Sequence, residues 1–102
     1  DGARYLGEVA IVPQSSPINL SGLLFFNTLY DENAVCHLAV GMGYMDCLTD
    51  YHNRSNEECR ALGVNDSMIH TDFMIGCDTM NIDAICANGE TVRVFANGEW
   101  TF

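Results

Sequence analysis

Residues Met80–Phe95, MNIDAICANGETVRVF, contain the strongest fold signal in the sequence. Asn88-Gly89 separates two stretches of strand-like composition, Met80–Ala87 and Thr91–Phe95, and an Asn-Gly pair in this position favours the tight turn of an antiparallel hairpin. A second such pair, Asn97-Gly98, turns the chain once more. The C-terminal third is therefore predicted to be a β-meander.

Three more strands are predicted upstream of the meander. Arg4–Val12 is rich in β-branched and aromatic residues, and Cys36–Gly41 is a short apolar run. Ile69–Gly76 alternates in character, which places His70 and Asp72 on one face of the strand. Each strand therefore contains at least one carboxylate or imidazole side chain, a group that can bind a metal ion or transfer a proton.

The remaining segments predict little regular structure. Ser55 and Glu58 form a capping-box pattern that predicts a short helix over Asn56–Leu62. Pro13–Gly22 has the composition of a loop, and Leu23–Tyr30 fits either a strand or a short helix. We therefore predict an α+β fold, mainly antiparallel β-sheet, with one or two short helices.

The composition excludes several classes of partner. The 102 residues include 14 acidic and 4 basic side chains, which gives a formal net charge of −10. No binding to nucleic-acid phosphates or to an anionic membrane surface is expected from such a chain. The longest uncharged run, Val9–Tyr30, contains two prolines, so no membrane-spanning segment is predicted. The apolar content and the length predict a single domain over residues 1–102.

The cysteines indicate a reducing compartment. The five thiols are odd in number and never form a C-x-x-C pair, which fits reduced cytoplasmic cysteines better than a disulfide framework or a structural zinc site. They are Cys36, Cys47, Cys59, Cys77 and Cys86.

Candidate metal ligands lie on the upstream strands. His70 and Asp72 are two residues apart on one strand, so their side chains point the same way about 6 to 7 Å apart. Together with Glu8 and His37 they form a mixed oxygen and nitrogen set, which suits zinc, cobalt or manganese. The alternative is that the histidines are hydrogen-bonded core residues and the carboxylates face water.

Several motifs together resemble one family. They are RYLGEVA at Arg4–Ala10, SGLLFFNTLYDENAVCHLAVG at Ser21–Gly41, GVNDSMIHTDFMIG at Gly63–Gly76 and VFANGEW at Val94–Trp100. In this order and spacing they resemble the thermophilic metallo-aminopeptidases, also called the aminopeptidase T family. The resemblance covers nearly the whole chain and corresponds to the C-terminal portion of a protein several times longer. Because the sequence also begins with Asp rather than Met, we expect it to start inside a larger enzyme.

The resemblance implies roles for six residues. The implied metal ligands are Glu8, Glu32, His37, His70 and Asp72. Glu8 corresponds to a carboxylate that bridges two ions, Glu32 to either a ligand or a catalytic carboxylate, and Tyr44 to a catalytic tyrosine. A solvated acidic turn at Asp31 and Glu32, and a packed aromatic at Tyr44, are the structural alternatives. A further glutamate ligand is expected upstream of this chain.

The implied function is hydrolysis of N-terminal residues from peptides with a free N-terminus. Two divalent ions, which could be zinc, cobalt, manganese or magnesium, would activate a shared water. The intact enzyme is expected to be a cytoplasmic homodimer, and this chain alone is expected to be inactive because it lacks one ligand. The alternative is a noncatalytic β-rich module, either a truncated scaffold or a dimerisation piece of the same fold.

Overall fold

The computed structural model describes residues 2–102. These residues divide into two compact units, the first built from residues 2–10 with Leu38–Phe73 and the second from Ile11–His37 with Met74–Phe102. The described α-helices are α1 (Pro17–Ser21), α2 (Thr28–Asp31) and α3 (Asn56–Ala61). The described strands are β1 (Leu6–Ala10), β2 (His37–Gly41), β3 (His70–Met74), β4 (Ile82–Ile85), β5 (Thr91–Ala96) and β6 (Glu99–Trp100).

Short 3-10 turns connect several of these elements. Within residues 2–102 they are Gly2–Arg4, Glu32–Ala34, Met45–Cys47 and Tyr51–Asn53. None of the helices in the described part of the chain has the length and apolar character needed to cross a membrane.

The first sheet has the strand order β1-β2-β3. Its strands are antiparallel, since the end of β2 meets the start of each neighbour: Gly41 N–H donates to Tyr5 O at 2.8 Å, and Met42 N–H donates to Ile69 O at 2.6 Å. Burial alternates along β2, with its odd-numbered residues buried. The three upstream strands are thus confirmed, each shorter than the sequence pattern predicted.

Gly41 permits the close approach of strands at the end of β2. Its φ angle of +103° is one that side chains other than glycine rarely adopt. An added Cβ would also overlap the carbonyl oxygen of Ile69. A glycine is therefore required here, and it fixes the path of the backbone into Met42.

Helix α3 begins with the predicted capping box. The Ser55 hydroxyl accepts from Glu58 N–H at 3.2 Å, and the Glu58 carboxylate accepts from Ser55 N–H at 2.7 Å. These two bonds satisfy donors that a helix N-terminus leaves unpaired. Cys59, within the helix, is completely buried, whereas Arg60 pairs with Asp66 at 2.7 Å on the surface.

The second sheet is the predicted β-meander, with strand order β4-β5-β6 and antiparallel pairing throughout. Ile85 pairs with Thr91 next to the Asn-Gly turn. Phe95 is buried and meets Trp100 edge-on, with ring centroids 5.4 Å apart. Two three-stranded antiparallel sheets with short helices confirm the α+β class.

The segment Pro13–Gly22 was predicted as a loop but contains helix α1. Pro17 occupies the first turn, where its missing N–H costs nothing, and Gly22 ends the helix in the left-handed conformation. The ambiguous Leu23–Tyr30 segment is irregular up to Asn27, whose side chain accepts from Leu29 N–H and starts α2. In both helices, local capping residues decide the structure.

Candidate active site

Four of the predicted site residues come together in the first unit. Glu8 lies at the middle of β1, His70 and Asp72 lie on β3, and Tyr44 precedes the turn Met45–Cys47. His70 Nε2 is the common centre: it lies 3.2 Å from Glu8 Oε2, 3.3 Å from Asp72 Oδ1 and 3.4 Å from the Tyr44 hydroxyl.

The alternation of β3 explains why two of these groups face the same way. His70 and Asp72 are partly buried, while Thr71 between them is exposed. The two carboxylates are also close to each other, since an oxygen of Glu8 and an oxygen of Asp72 lie within 4.8 Å. The antiparallel sheet thus gathers two acids and an imidazole at one place.

The other nitrogen of His70 fixes the orientation and tautomer of the ring. His70 Nδ1 lies 2.7 Å from the carbonyl oxygen of Met42. A carbonyl oxygen can only accept, so Nδ1 is the proton donor. In the neutral ring, Nε2 therefore presents a lone pair to Glu8 and Asp72. Histidine ligands of metals are typically held in this way, with the second ring nitrogen donating to a backbone carbonyl or carboxylate.

The surroundings of His70 favour a positive charge at Nε2. The hydrogen bond to Met42 raises the pKa of the imidazole, partial burial opposes this, and the charges of Asp72 and Glu8 raise the pKa further. Either a proton or a metal cation can supply this positive charge at His70 Nε2. Both bind the same nitrogen and therefore compete for it.

The environment of Asp72 also favours a bound cation. Its side chain is only 9% exposed, and its Oδ1 accepts no hydrogen bond from any residue in the described part of the chain. His70 Nε2 lies near this oxygen but carries no proton in the neutral tautomer described above. Leaving a buried carboxylate oxygen unpaired is costly, whereas coordination of a cation compensates it. The oxygen and nitrogen donors of this cluster thus fit a divalent metal ion.

Tyr44 places a phenol beside the cluster. Tyr44 is 49% exposed, and the centroid of its ring lies 5.0 Å from that of the His70 ring. Because Nε2 of the neutral His70 is an acceptor, the Tyr44 hydroxyl is the donor in their 3.4 Å contact. The exposed ring contrasts with the alternative interpretation of Tyr44 as a packed aromatic.

His37 and Glu32 belong to the second unit. His37 is the first residue of β2 and is 1% exposed, and its Nδ1 lies 3.0 Å from the Val35 carbonyl oxygen. Nδ1 is thus the donor, so that Nε2 has the lone pair, as in His70. Glu32 begins the turn Glu32–Ala34. Its neighbour Asp31 has a structural role, because its carboxylate accepts from two backbone N–H groups of the preceding loop.

Comparison with known proteins identifies the family. Residues 1–100 match the sequence profile of the family described as "Thermophilic metalloprotease (M29)". The chain belongs to this family. It is 51% identical to "Aminopeptidase 2" of Geobacillus stearothermophilus over 102 residues, which are 100% of this chain and 25% of that protein. It is 45% identical to "Aminopeptidase T" of Thermus aquaticus over 100 residues, 98% of this chain and 24% of that protein.

A solved structure agrees with this membership of the M29 family. "Wild-type AmpT from Thermus thermophilus" superimposes with a TM-score of 0.77 at 40% identity, covering 99% of this chain and 24% of that one. The chain thus spans about a quarter of the length of the relatives it matches. The resemblance drawn from the sequence motifs is confirmed. In an M29 metalloprotease, a cluster of acidic and imidazole donors is where a metal ion is expected.

One functional group in this M29 chain was not predicted from the sequence. The backbone carbonyl of Met42 holds His70, and no side-chain pattern identifies a backbone acceptor. The signal that could have found it is the flanking pair Gly41 and Gly43, since glycines often mark a close backbone approach.

Proposed function

We propose that this chain forms the C-terminal catalytic part of a metal-dependent aminopeptidase, which removes N-terminal residues from peptides. One observation carries the proposal. His70 Nε2 lies within 3.4 Å of Glu8, Asp72 and Tyr44 while Nδ1 is fixed by the Met42 carbonyl. Membership of a metalloprotease family supports it, as do the names of relatives that are aminopeptidases.

The proposed ligands are those the sequence resemblance implied, with the further glutamate supplied from upstream. They would hold two divalent ions, with zinc, cobalt, manganese and magnesium as candidates. His37 is included on the sequence resemblance. It is 1% exposed, and because its Nδ1 donates to the Val35 carbonyl oxygen, Nε2 is the nitrogen that presents a lone pair. Glu32 is included as a ligand or catalytic carboxylate on the sequence resemblance alone.

The bound metals would supply Lewis acidity, lowering the pKa of a water and polarising the scissile carbonyl. The chain's own residues perform the remaining tasks. The Tyr44 phenol has an O–H group that donates hydrogen bonds. It can therefore donate to the oxygen that becomes negative when the peptide carbonyl is attacked. The Met42 carbonyl keeps His70 in the tautomer that presents Nε2.

Selection of a free N-terminus follows from the acidity of the site. A protonated amine is attracted to the carboxylates of Glu8 and Asp72, and the formal net charge of −10 adds a favourable long-range field. An internal peptide bond has no such amine. The acidity of the site therefore favours exopeptidase over endopeptidase action.

We also propose a cytoplasmic homodimer for the intact enzyme. The free thiols support a reducing compartment, as all five cysteines lie among the described residues and none is in a disulfide. Exposed apolar side chains such as Phe26 and Leu29, 88% and 74% exposed, are available for a subunit contact.

The proposal is tested on the full-length protein that contains this chain. Metal is removed with a chelator, then zinc, cobalt, manganese or magnesium is titrated back by calorimetry while hydrolysis of leucine p-nitroanilide is followed. Binding and activity should return together, and His70→Ala should abolish both. His52→Ala is the matched control, because His52 lies on the turn Tyr51–Asn53 and is exposed. Equal activity with and without metal would contradict the proposal.

A further inference from the structure

A small apolar pocket lies beside Tyr44 in the first unit. Its volume is about 220 Å³, and its walls include Leu6, Tyr44, Leu48, Leu62 and Val64. We infer that this pocket binds the side chain of the substrate's N-terminal residue and selects apolar side chains. The inference rests on the proposed aminopeptidase function and adds the specificity that the function leaves open.

The position of the pocket follows from one residue that it shares with the cluster around His70, Tyr44, and from a second lining residue, Leu6, on the strand of Glu8. Tyr44 lines the pocket and has its hydroxyl 3.4 Å from His70 Nε2. Leu6 also lines the pocket and is two residues from Glu8 on β1, so the two side chains leave the strand on the same face. Two residues along a strand span about 6.6 Å, which is comparable to the reach of one amino-acid side chain.

This placement matches what an aminopeptidase substrate needs. The peptide carbonyl would lie between Tyr44 and the cluster, with the amine near the carboxylates. The side chain on the first residue must then extend away from that point by its own length. The pocket beside Tyr44 offers a space for that side chain.

The chemistry of the walls predicts which side chains enter. No charged side chain lines the pocket, and its larger side chains are aliphatic except for the ring of Tyr44, the thiol of Cys47 and the amide of Asn65. The lining amide Asn65 is already engaged, because its Nδ2 donates to Gly2 O at 2.7 Å and to Gly41 O at 2.6 Å. A charged substrate side chain would therefore lose hydration without gaining an ionic partner.

The size of the pocket limits its occupant to one side chain. Pockets for drug-sized ligands have volumes of about 300–1000 Å³, whereas the volume of this pocket is about 220 Å³. The backbone segments at the lining residues Gly7 and Gly43 lie close together, since a Cβ added to Gly43 would lie 3.2 Å from Gly7 O. Leucine, methionine and phenylalanine side chains suit these limits.

The test uses full-length protein loaded with metal, and p-nitroanilides of leucine, alanine and lysine. For the unmodified enzyme, kcat/KM for leucine should exceed that for lysine by about tenfold or more, because hydrophobic pockets discriminate on this scale. Leu62→Asp should reverse much of that preference by adding a carboxylate at the wall. Leu62 is 54% exposed and caps the end of α3, so its replacement leaves the core intact.

Leu20→Asp is the matched control. Leu20 lies on α1, is 71% exposed and is absent from the pocket, so its replacement should leave the leucine-to-lysine ratio unchanged. Leu48→Phe provides a second variant that fills the pocket without a charge. It should lower kcat/KM for leucine several-fold relative to alanine.

Binding of the free amino acids provides a readout apart from turnover. L-Leucine should bind more tightly than L-lysine by calorimetry, and Leu62→Asp should remove that difference. Unchanged substrate ranking in both Leu62→Asp and Leu48→Phe, in an enzyme that is otherwise active, would overturn the pocket assignment alone. Absence of hydrolysis by unmodified, metal-loaded protein would overturn the aminopeptidase proposal itself, and the pocket assignment with it.

Discussion

His70 donates from Nδ1 to the Met42 carbonyl oxygen at 2.7 Å, on the opposite side of the ring from Glu8. This single hydrogen bond decides which nitrogen faces the carboxylates. It links a backbone group at the end of β2 to the side chain that centres the candidate site. The orientation of His70 in the site therefore depends on the path of the backbone through Gly41 and Met42.

Replacing Gly41 should disturb both the fold and the site. Gly41→Ala adds a Cβ that overlaps the Ile69 carbonyl, at a φ angle of +103°. We expect a loss of folding stability of roughly 1–3 kcal/mol, the range for strained backbone positions, and weaker metal binding because Met42 is displaced. Thermal unfolding and metal titration of the full-length protein measure the two effects.

Gly63→Ala is the control for that substitution. Its φ angle of +105° is nearly the same, but an added Cβ meets nothing within 4 Å. It should therefore cost stability through conformation alone and leave metal affinity unchanged. Equal loss of metal affinity in the two variants would show that the close approach at Gly41 does not support the site.

Tyr44→Phe should lower kcat without affecting metal binding. The substitution removes one hydroxyl that donates near His70 Nε2 at 3.4 Å. Loss of one donor to a developing oxyanion typically costs about 10²–10³ in kcat. Steady-state kinetics with leucine p-nitroanilide, together with metal titration, separate the two roles. A normal kcat in Tyr44→Phe would remove Tyr44 from the mechanism.

The capping box of α3 should contribute a pH-dependent part of the stability. The backbone N–H and hydroxyl of Ser55 lower the pKa of Glu58 from its ordinary value. A carboxyl with a lowered folded-state pKa stabilises the fold above its ordinary pKa, and the effect is lost as pH falls through the folded-state value. The difference in unfolding free energy between wild type and Glu58→Gln should therefore shrink on acidification from pH 7 to pH 3. Urea unfolding at several pH values measures it, and a constant difference would be the opposite result.

Ser55→Ala should destabilise the protein at neutral pH. The Ser55 hydroxyl accepts from Glu58 N–H, and loss of such a cap costs about 1 kcal/mol. Ser67→Ala is a comparison at a serine whose hydroxyl accepts from Ile69 N–H outside a helix. If both variants unfold at the same urea concentration as wild type, the capping box contributes nothing measurable.

The 102 residues alone should hydrolyse no aminoacyl substrate. Sequence resemblance assigns one further metal ligand to an upstream glutamate. Without it, metal affinity should be weak compared with that of the full-length protein. Calorimetry and a p-nitroanilide assay on both forms test this, and turnover by the isolated chain would show that the ligand set is already complete.

Local sequence patterns predicted much of the fold because turns and helix ends are determined by residues that are close together in the sequence. The Asn-Gly pairs determine the meander, and Ser55 with Glu58 determines the start of α3. Helix α1 was missed, since its single turn depends on Pro17 and Gly22 within a segment whose overall composition is that of a loop. Alternation alone placed His70 and Asp72 on one face.

The candidate site required information that spacing does not contain. Tyr44 and His70 are 26 residues apart in sequence, and their contact depends on how β2 and β3 pair. The role of the Met42 carbonyl depends on the ring orientation of His70, which is a property of the folded chain. The family resemblance named the side chains, whereas the structure supplied the hydrogen bond that orients one of them.

The central claim is that a divalent cation binds between His70 Nε2 and the carboxylates of Glu8 and Asp72. Anomalous diffraction from crystals of the full-length protein soaked in zinc measures this directly. We predict a peak about 2.0–2.2 Å from His70 Nε2 and from a carboxylate oxygen of this cluster, the usual zinc–ligand distances. At saturating zinc, a peak located only at other residues, or no peak at this cluster, would contradict the account.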